Sequence, residues 1–269
     1  GVQGLYGSFS INAQGLWSYV ADDANDDFIA NISYVDIFAV ESADGTSQNV
    51  TITITGTNDG AAITGDSSAT LTEADAALST GGTLTVTDVD NADKFISQTD
   101  AQGTHGIFNI SEDGLWTYST RAHNEFEDGK DYIDSFTVVT TDGTQETVTV
   151  TITGTNDGAT FSGDSAATLT ETDAVLSAGG TLTNNDVDSA QTFVPQDGSY
   201  DNPVAIGAHT NGTFSIDADG TWSFLAASTH DDLASGVSLS DSFTVTATDG
   251  TQSSVTVTIT GTNDGAAIT

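Results

Sequence analysis

Threonine alternates with valine or isoleucine in three stretches of the chain, and each run closes on the same pentapeptide. They read "VTITITGTNDG" at 50–60 and "VTVTITGTNDG" at 148–158 and again at 255–265. In the middle copy Val148, Val150 and Ile152 share one face and the threonines the other, the period of a strand with one buried side. Gly and Asp-Gly pairs break this pattern at roughly eight- to twelve-residue intervals, as hairpin turns do in a sandwich. Across residues 58–156 the pattern predicts seven strands, near Ala69–Glu73, Thr83–Asp88, Lys94–Thr99, Gly106–Ile110, Leu115–Thr120, Asp134–Thr140 and Thr147–Thr155. No segment has a convincing helical period, and no apolar run approaches the length of a membrane span.

The pentapeptide recurs at Gly56, Gly154 and Gly261, intervals of 98 and 107 residues. That is longer than a solenoid unit and matches a whole domain. Other landmarks keep step: Gly15-Leu16-Trp17 with Gly114-Leu115-Trp116 and Gly220-Thr221-Trp222, and "GGTLTVTDVD" at 81–90 with "GGTLTNNDVD" at 179–188. The fold class expected is therefore all-β, tandem immunoglobulin-like or cadherin-like β-sandwich domains of about seven strands each. Residues 1–57 read as the C-terminal part of a first repeat, 58–156 and 157–263 as full repeats, and 264–269 as the start of the next. A loop insertion with Pro195 and Pro203 accounts for the greater length of the later copy.

Residues 1–57 contain nothing matching "ATLTE" or "GGTLTV". A sandwich short of those strands exposes core and unpaired edges. Two explanations are open: the sequence is a piece of a longer protein, or strands of a neighbouring chain complete the half-domain and build a filament. The three tryptophans, each two residues before another aromatic on the same face, are expected to anchor the cores rather than form a sugar platform.

Charge changes the picture most. Asp and Glu number 39 against three Lys and Arg, a net charge of −36. Nucleic acid is excluded as a partner, since no cations replace phosphate counterions, and an anionic membrane is unattractive for the same reason. The carboxylates recur in step. Glu73 and Asp75 answer Glu171 and Asp173; Asp88, Asp90 and Asp93 answer Asp186 and Asp188; Asn58-Asp59, Asn156-Asp157 and Asn263-Asp264 mark the linkers. Oxygen ligands from carboxylates, Asn side chains and carbonyls are what Ca²⁺ requires, and D-x-D in an extended stretch puts two carboxylates on one side. The expected metal residues are thus Asn58, Asp59, Glu73, Asp75, Asp88, Asp90, Asp93, Asn156, Asp157, Glu171, Asp173, Asp186, Asp188 and Asp264, at or near domain junctions. The Asp-Gly pairs at Asp44, Asp113, Asp142, Asp219 and Asp249 read as hairpin turns instead, and the runs Asp22–Asp27 and Glu125–Asp131 as solvated loops or accessory ion sites.

"VTVTITGTNDGA", "GTLTVTDVD", "GIFNISEDGLWTY" and "DSFTVVTTDGT" together resemble the VCBS-type repeats of giant bacterial surface proteins, similar to the cadherin-like and immunoglobulin-like extenders of RTX adhesins. The resemblance covers essentially the whole chain. It implies secretion from a Gram-negative bacterium, an extracellular place in a stalk for adhesion and biofilm formation, Ca²⁺ within or between repeats, and neighbouring repeats as partners. By cadherin analogy it puts Asp59 with Asp88 and Asp90 at one junction, and Glu73 with Asn156, Asp157, Asp186 and Asp188 at the next. The Asn184-Asn185 pair departs from Val86-Thr87.

The chain has no cysteine, so stability in an extracellular setting must come from elsewhere, with metal the obvious candidate. Its four histidines do not recur at equivalent positions in all repeats, and no nucleophile elbow, phosphate loop or HExxH is present, so no enzyme is expected. The irregular loop Gln196–Gly212 is an alternative place for a glycan or surface ligand.

Overall fold

The computed structural model describes residues 1–197, 211–263 and 265, and is all-β. Two compact units make up the chain, Gly1–Ala122 with Asp131–Ile152, and His123–Lys130 with Thr153–Thr269.

In the first unit, β1 (Val2–Gln3), β2 (Gly7–Ile11) and β3 (Trp17–Ala21) form one sheet, and β4 (Ser33–Glu41) pairs with β5 (Ser47–Thr55). There follow β6 (Ala62–Gly65), β7 (Ser68–Thr72), β8 (Ser79–Thr87), β9 (Gln98–Gln102), β10 (Gly106–Ile110), β11 (Leu115–Thr120), β12 (Asp131–Val139) and β13 (Gln145–Thr153). They form sheets ordered β6-β8-β11-β10-β9 and β12-β13-β7. The second unit has β14 (Thr160–Gly163), β15 (Ala166–Thr170), β16 (Ser177–Asn185), β17 (Gly212–Ile216), β18 (Thr221–Ala226), β19 (Ser238–Thr246) and β20 (Gln252–Thr260), ordered β14-β16-β18-β17 and β15-β20-β19.

Strands β10 and β11 begin and end where the pattern predicts. One strand was not foreseen: four-residue β6 is too short to show a period of its own. Its chain leaves one sheet for the other at Gly65, whose φ of +111° only glycine adopts cheaply. The strand expected at Lys94–Thr99 lies later, at β9, because Phe95 turns into the core and makes an isolated bridge to Thr140. Val148, Val150 and Ile152 are fully buried, as their alternation requires.

Trp116 and Trp222 are core anchors. Their indole N–H groups donate to the carbonyls of Asp66 at 2.7 Å and Asp164 at 2.8 Å. Gly82 lies opposite Trp116 and Gly180 opposite Trp222 in the neighbouring strands. A Cβ on Gly82 would fall 2.8 Å from the indole, which is why the Gly-Gly pair stands there. Trp17 departs from the expectation, being 47% exposed. Among the described residues no counterpart of β6–β8 pairs with the sheets of residues 1–57, and none covers the outer side of Trp17.

Candidate metal centres

In the second unit, β16 ends at Asn185 and the chain turns through Asp186-Val187-Asp188-Ser189. Asp186 Oδ1 accepts from the main-chain N–H groups of Asp188 at 3.1 Å and Ser189 at 2.7 Å, an Asx turn that fixes the loop. Asp188 Oδ2 accepts from the N–H of Asp157 at 3.2 Å, joining the linker to that loop. Asp186 and Asp188 are both buried, yet Asp186 Oδ2 and Asp188 Oδ1 have no hydrogen-bond partner. Burial first, and the adjoining Asp186 carboxyl second, push the Asp188 carboxyl above the ordinary carboxylate range, against the opposing pull of the Asp157 N–H.

The first unit repeats the arrangement. Asp88 Oδ1 accepts from Asp90 N at 3.0 Å and Asn91 N at 2.8 Å, and Asn91 Nδ2 donates to Asn58 Oδ1 at 3.0 Å and to Asp90 Oδ1 at 2.9 Å. Asp88 Oδ2 and Asp90 Oδ2 are buried without a partner. Burial and then the Asp88 side chain raise the Asp90 carboxyl, while the Asp59 N–H and the Asn91 amide lower it. Buried carboxylate oxygens with no donor are costly unless a cation takes them. The chain's three basic residues lie between 94 and 130, and of these Lys94 pairs with Asp113 and Lys130 with Glu127. The donor set, hard oxygens on short loops, fits Ca²⁺.

A further acidic group lies in the second unit. One carboxylate oxygen each from Glu171, Asp173 and Asp231 lies within 4.8 Å of the others. Glu171 is 1% exposed; its Oε2 accepts from Thr262 N at 3.0 Å and Thr262 Oγ1 at 2.8 Å, and its Oε1 has no partner. At that spacing like charges repel by about 1 kcal/mol in water and about 3 kcal/mol at the effective dielectric near a protein surface. A bound cation would reverse that sign.

Glu73 is buried just after β7, and Asp75 is exposed. Asp93 Oδ1 accepts from Asp88 N at 2.7 Å, so it fastens the turn. In the later repeat Gln191 fastens that turn instead, its Nε2 donating to Asp186 O. Asp264 and most of the loop Gln196–Gly212 lie outside the described residues.

Three residues were not expected here. Asp231 comes from the loop after β18, and only the fold brings it to Glu171. Asp142 and Asp249 do make their hairpin turns, with Thr144 N at 3.0 Å and Thr251 N at 2.9 Å, but each also reaches the start of a repeat. Asp142 Oδ2 accepts from Ala61 N, and Asp249 Oδ2 from Ala159 N, both at 3.0 Å. Burial works against Asp142, but bonds from Thr140, Thr144 and Ala61 hold its carboxyl well below the usual range.

Comparison with known proteins follows the same repeats. A comparison with curated sequences finds no match. Among solved structures, PcdhgB3 EC1-4 is 13% identical, with 98% of this chain and 66% of that one covered and a TM-score of 0.48. Protocadherin gamma B2 extracellular cadherin domains 1–5 give 13%, 96%, 51% and 0.48, and mouse protocadherin-24 EC1-3 gives 15%, 94%, 86% and 0.40. The chain thus spans between about half and two thirds of the length of the first two. The model of the bacterial cadherin-like domain matches residues 58–154 and 156–263, so this chain belongs to the bacterial cadherin-like domain family.

Proposed function

We propose that this chain is an extender segment of a secreted bacterial surface adhesin, of the VCBS and RTX kind, whose tandem repeats are stiffened by Ca²⁺. In this reading residues 58–156 and 157–263 are its two full repeats, 1–57 the end of an earlier one and 264–269 the start of another. The role is structural, at the cell surface or outside it, and involves no catalysis. Neighbouring repeats are its partners, and adhesion and biofilm formation are what the stalk supports.

The observation that carries this is the buried pair Asp186–Asp188, with one partnerless oxygen on each, repeated as Asp88–Asp90. Asn58-Asp59 and Asn156-Asp157 stand beside them and would complete the shells together with main-chain carbonyls and water. An ion there would fasten each linker to the repeat it leads into and remove bending freedom. Glu171, Asp173 and Asp231 would hold a further ion. Because the unfolded chain lacks such shells, binding adds directly to folded stability.

Calorimetric titration with Ca²⁺ tests the reading, with dissociation constants expected on the order of 10⁻⁴–10⁻³ M, as for extracellular modules. Chelation should lower the melting temperature and shorten the particle in solution scattering. Equal stability and dimensions with and without Ca²⁺ would refute it.

A further inference from the structure

Building on the calcium reading above, we propose that Asn184 supplies a further, neutral oxygen to the cation centre at Asp186 and Asp188, and that it biases this centre toward Ca²⁺ over Mg²⁺.

The two full repeats differ at one buried position beside their D-x-D turns. Strand β8 ends Leu84-Thr85-Val86-Thr87, and β16 ends Leu182-Thr183-Asn184-Asn185. Leu84 and Leu182 both lie in the core, and two residues on come Val86 and Asn184, each buried. An amide at 2% exposure thus stands where the other repeat has an aliphatic side chain. Strand propensity and core packing both favour valine there, so the amide has another cause.

Its orientation follows from its hydrogen bond. Asn184 Nδ2 donates to Thr192 O at 3.0 Å. A carbonyl only accepts, so the NH₂ edge faces Thr192 and Oδ1 is turned away from it. That Oδ1 is buried with no hydrogen-bond partner. Thr248, which reaches the same carbonyl, is already committed: its N–H donates to Thr192 O at 3.0 Å and its Oγ1 to Ala190 O at 2.8 Å. A buried amide oxygen left alone destabilises a fold unless something positive takes it.

The acidic turn closes over this amide. It starts two residues after Asn184, at Asp186, and returns to it at Thr192. Because β16 is extended up to Asn185, Asn184 and Asp186 face one side. The N–H of Asp188, bonded to Asp186 Oδ1, keeps the second acid beside them. Asn184 Oδ1, Asp186 Oδ2 and Asp188 Oδ1 are all buried without a partner. In the first repeat only Asp88 Oδ2 and Asp90 Oδ2 are, since Val86 offers no oxygen.

A further neutral donor acts differently on the two common divalent cations. Ca²⁺ accepts a larger and more flexible oxygen shell, whereas Mg²⁺ demands near-ideal octahedral geometry and dehydrates reluctantly. Another carboxylate would add like-charge repulsion. An amide oxygen extends the shell without adding charge, and so favours the larger cation.

NMR titration of the whole chain reads the two centres separately, through the amide shifts of Asp90 and Asp188. The test variant is Asn184→Val, a side chain that the other repeat already accommodates at this place. It should weaken Ca²⁺ binding at Asp188 by about tenfold, leave Asp90 unchanged, and weaken Mg²⁺ binding at Asp188 by less than about threefold. In chelator the variant should melt at a higher temperature than the parent, because the partnerless oxygen is gone, and it should gain less from added Ca²⁺. Equal Ca²⁺ affinity at Asp188 in variant and parent, a parallel loss for both cations, or a lower melting temperature of the variant in chelator would each overturn the inference. A parent whose Asp90 and Asp188 amides do not respond to Ca²⁺ would remove the calcium reading itself, and this inference with it.

Discussion

The main-chain N–H of Asp157 donates to Oδ2 of Asp188 at 3.2 Å, across 31 residues of sequence. That bond joins a linker to the turn after β16 while Asp188 Oδ1 stays buried and unpartnered. Asp188→Asn keeps an acceptor for Asp157 but removes one charge. We expect it to weaken Ca²⁺ binding at least tenfold in calorimetry and to raise the melting temperature of the metal-free protein. A variant that binds Ca²⁺ as tightly as the parent would remove Asp188 from the site.

The pH dependence has a definite sign. Asp90 and Asp188 have folded-state pKa values above the ordinary range. Between the unfolded value of about 3.9 and the raised one, the folded state holds the extra proton. Their contribution to stability is complete below the unfolded value and is lost as pH rises through the folded one. Asp36, Asp142 and Asp249 are lowered and act oppositely, their contribution being present above the unfolded value and lost on acidification. Denaturant melts of Asp90→Asn against the parent in chelator isolate the first effect. The variant's advantage should grow as pH rises from about 4, and added Ca²⁺ should reverse the order. A gap constant with pH would contradict the assignment.

Glu171→Gln separates the two centres of the second unit. Glutamine can still accept from Thr262 but offers the neighbouring acids no charge. Calorimetry should then show one fewer ion per chain with binding at Asp186–Asp188 retained. Unchanged stoichiometry would mean that Glu171, Asp173 and Asp231 hold none.

Equivalent tryptophans should have unequal weight. Trp116→Ala leaves a cavity beneath Gly82 and the carbonyl of Asp66, at a cost of about 3–5 kcal/mol. Trp17→Ala, at a half-exposed ring, should cost less than about 1 kcal/mol. Urea melts compare them, and equal losses would mean that Trp17 is covered in solution.

A smaller effect is expected at the buried Tyr118–Asp134 contact. Asp134 accepts from Thr104 N at 2.7 Å, His105 N at 3.0 Å and Gly106 N at 3.0 Å as well as from Tyr118 Oη at 2.8 Å. Tyr118→Phe removes one donor of four from a buried carboxylate and should cost about 1–3 kcal/mol. In the later repeat Phe224 takes this place, and Asn211 Nδ2 donates to Asp241 instead. A neutral melt for Tyr118→Phe would show the three backbone donors to be enough.

Alternation of Thr with Val or Ile, the recurring pentapeptide and the spacing of Trp and Gly were sufficient to give strands, a two-layer core and tandem repeats, because period-2 burial is a local property of the chain. The D-x-D turns were visible for the same reason: Asp88 and Asp186 bond to N–H groups two and three residues on. What the tertiary structure decided was which polar groups end up buried and beside what. Asp231 meets Glu171 and Asp142 meets Ala61 only because strands distant in sequence stack, and β6 takes its place by pairing with β8 rather than by any pattern within its four residues. Trp17 makes the same point in reverse. Its sequence neighbourhood matches that of Trp116, yet its exposure differs, since burial depends on strands that come from elsewhere in the chain.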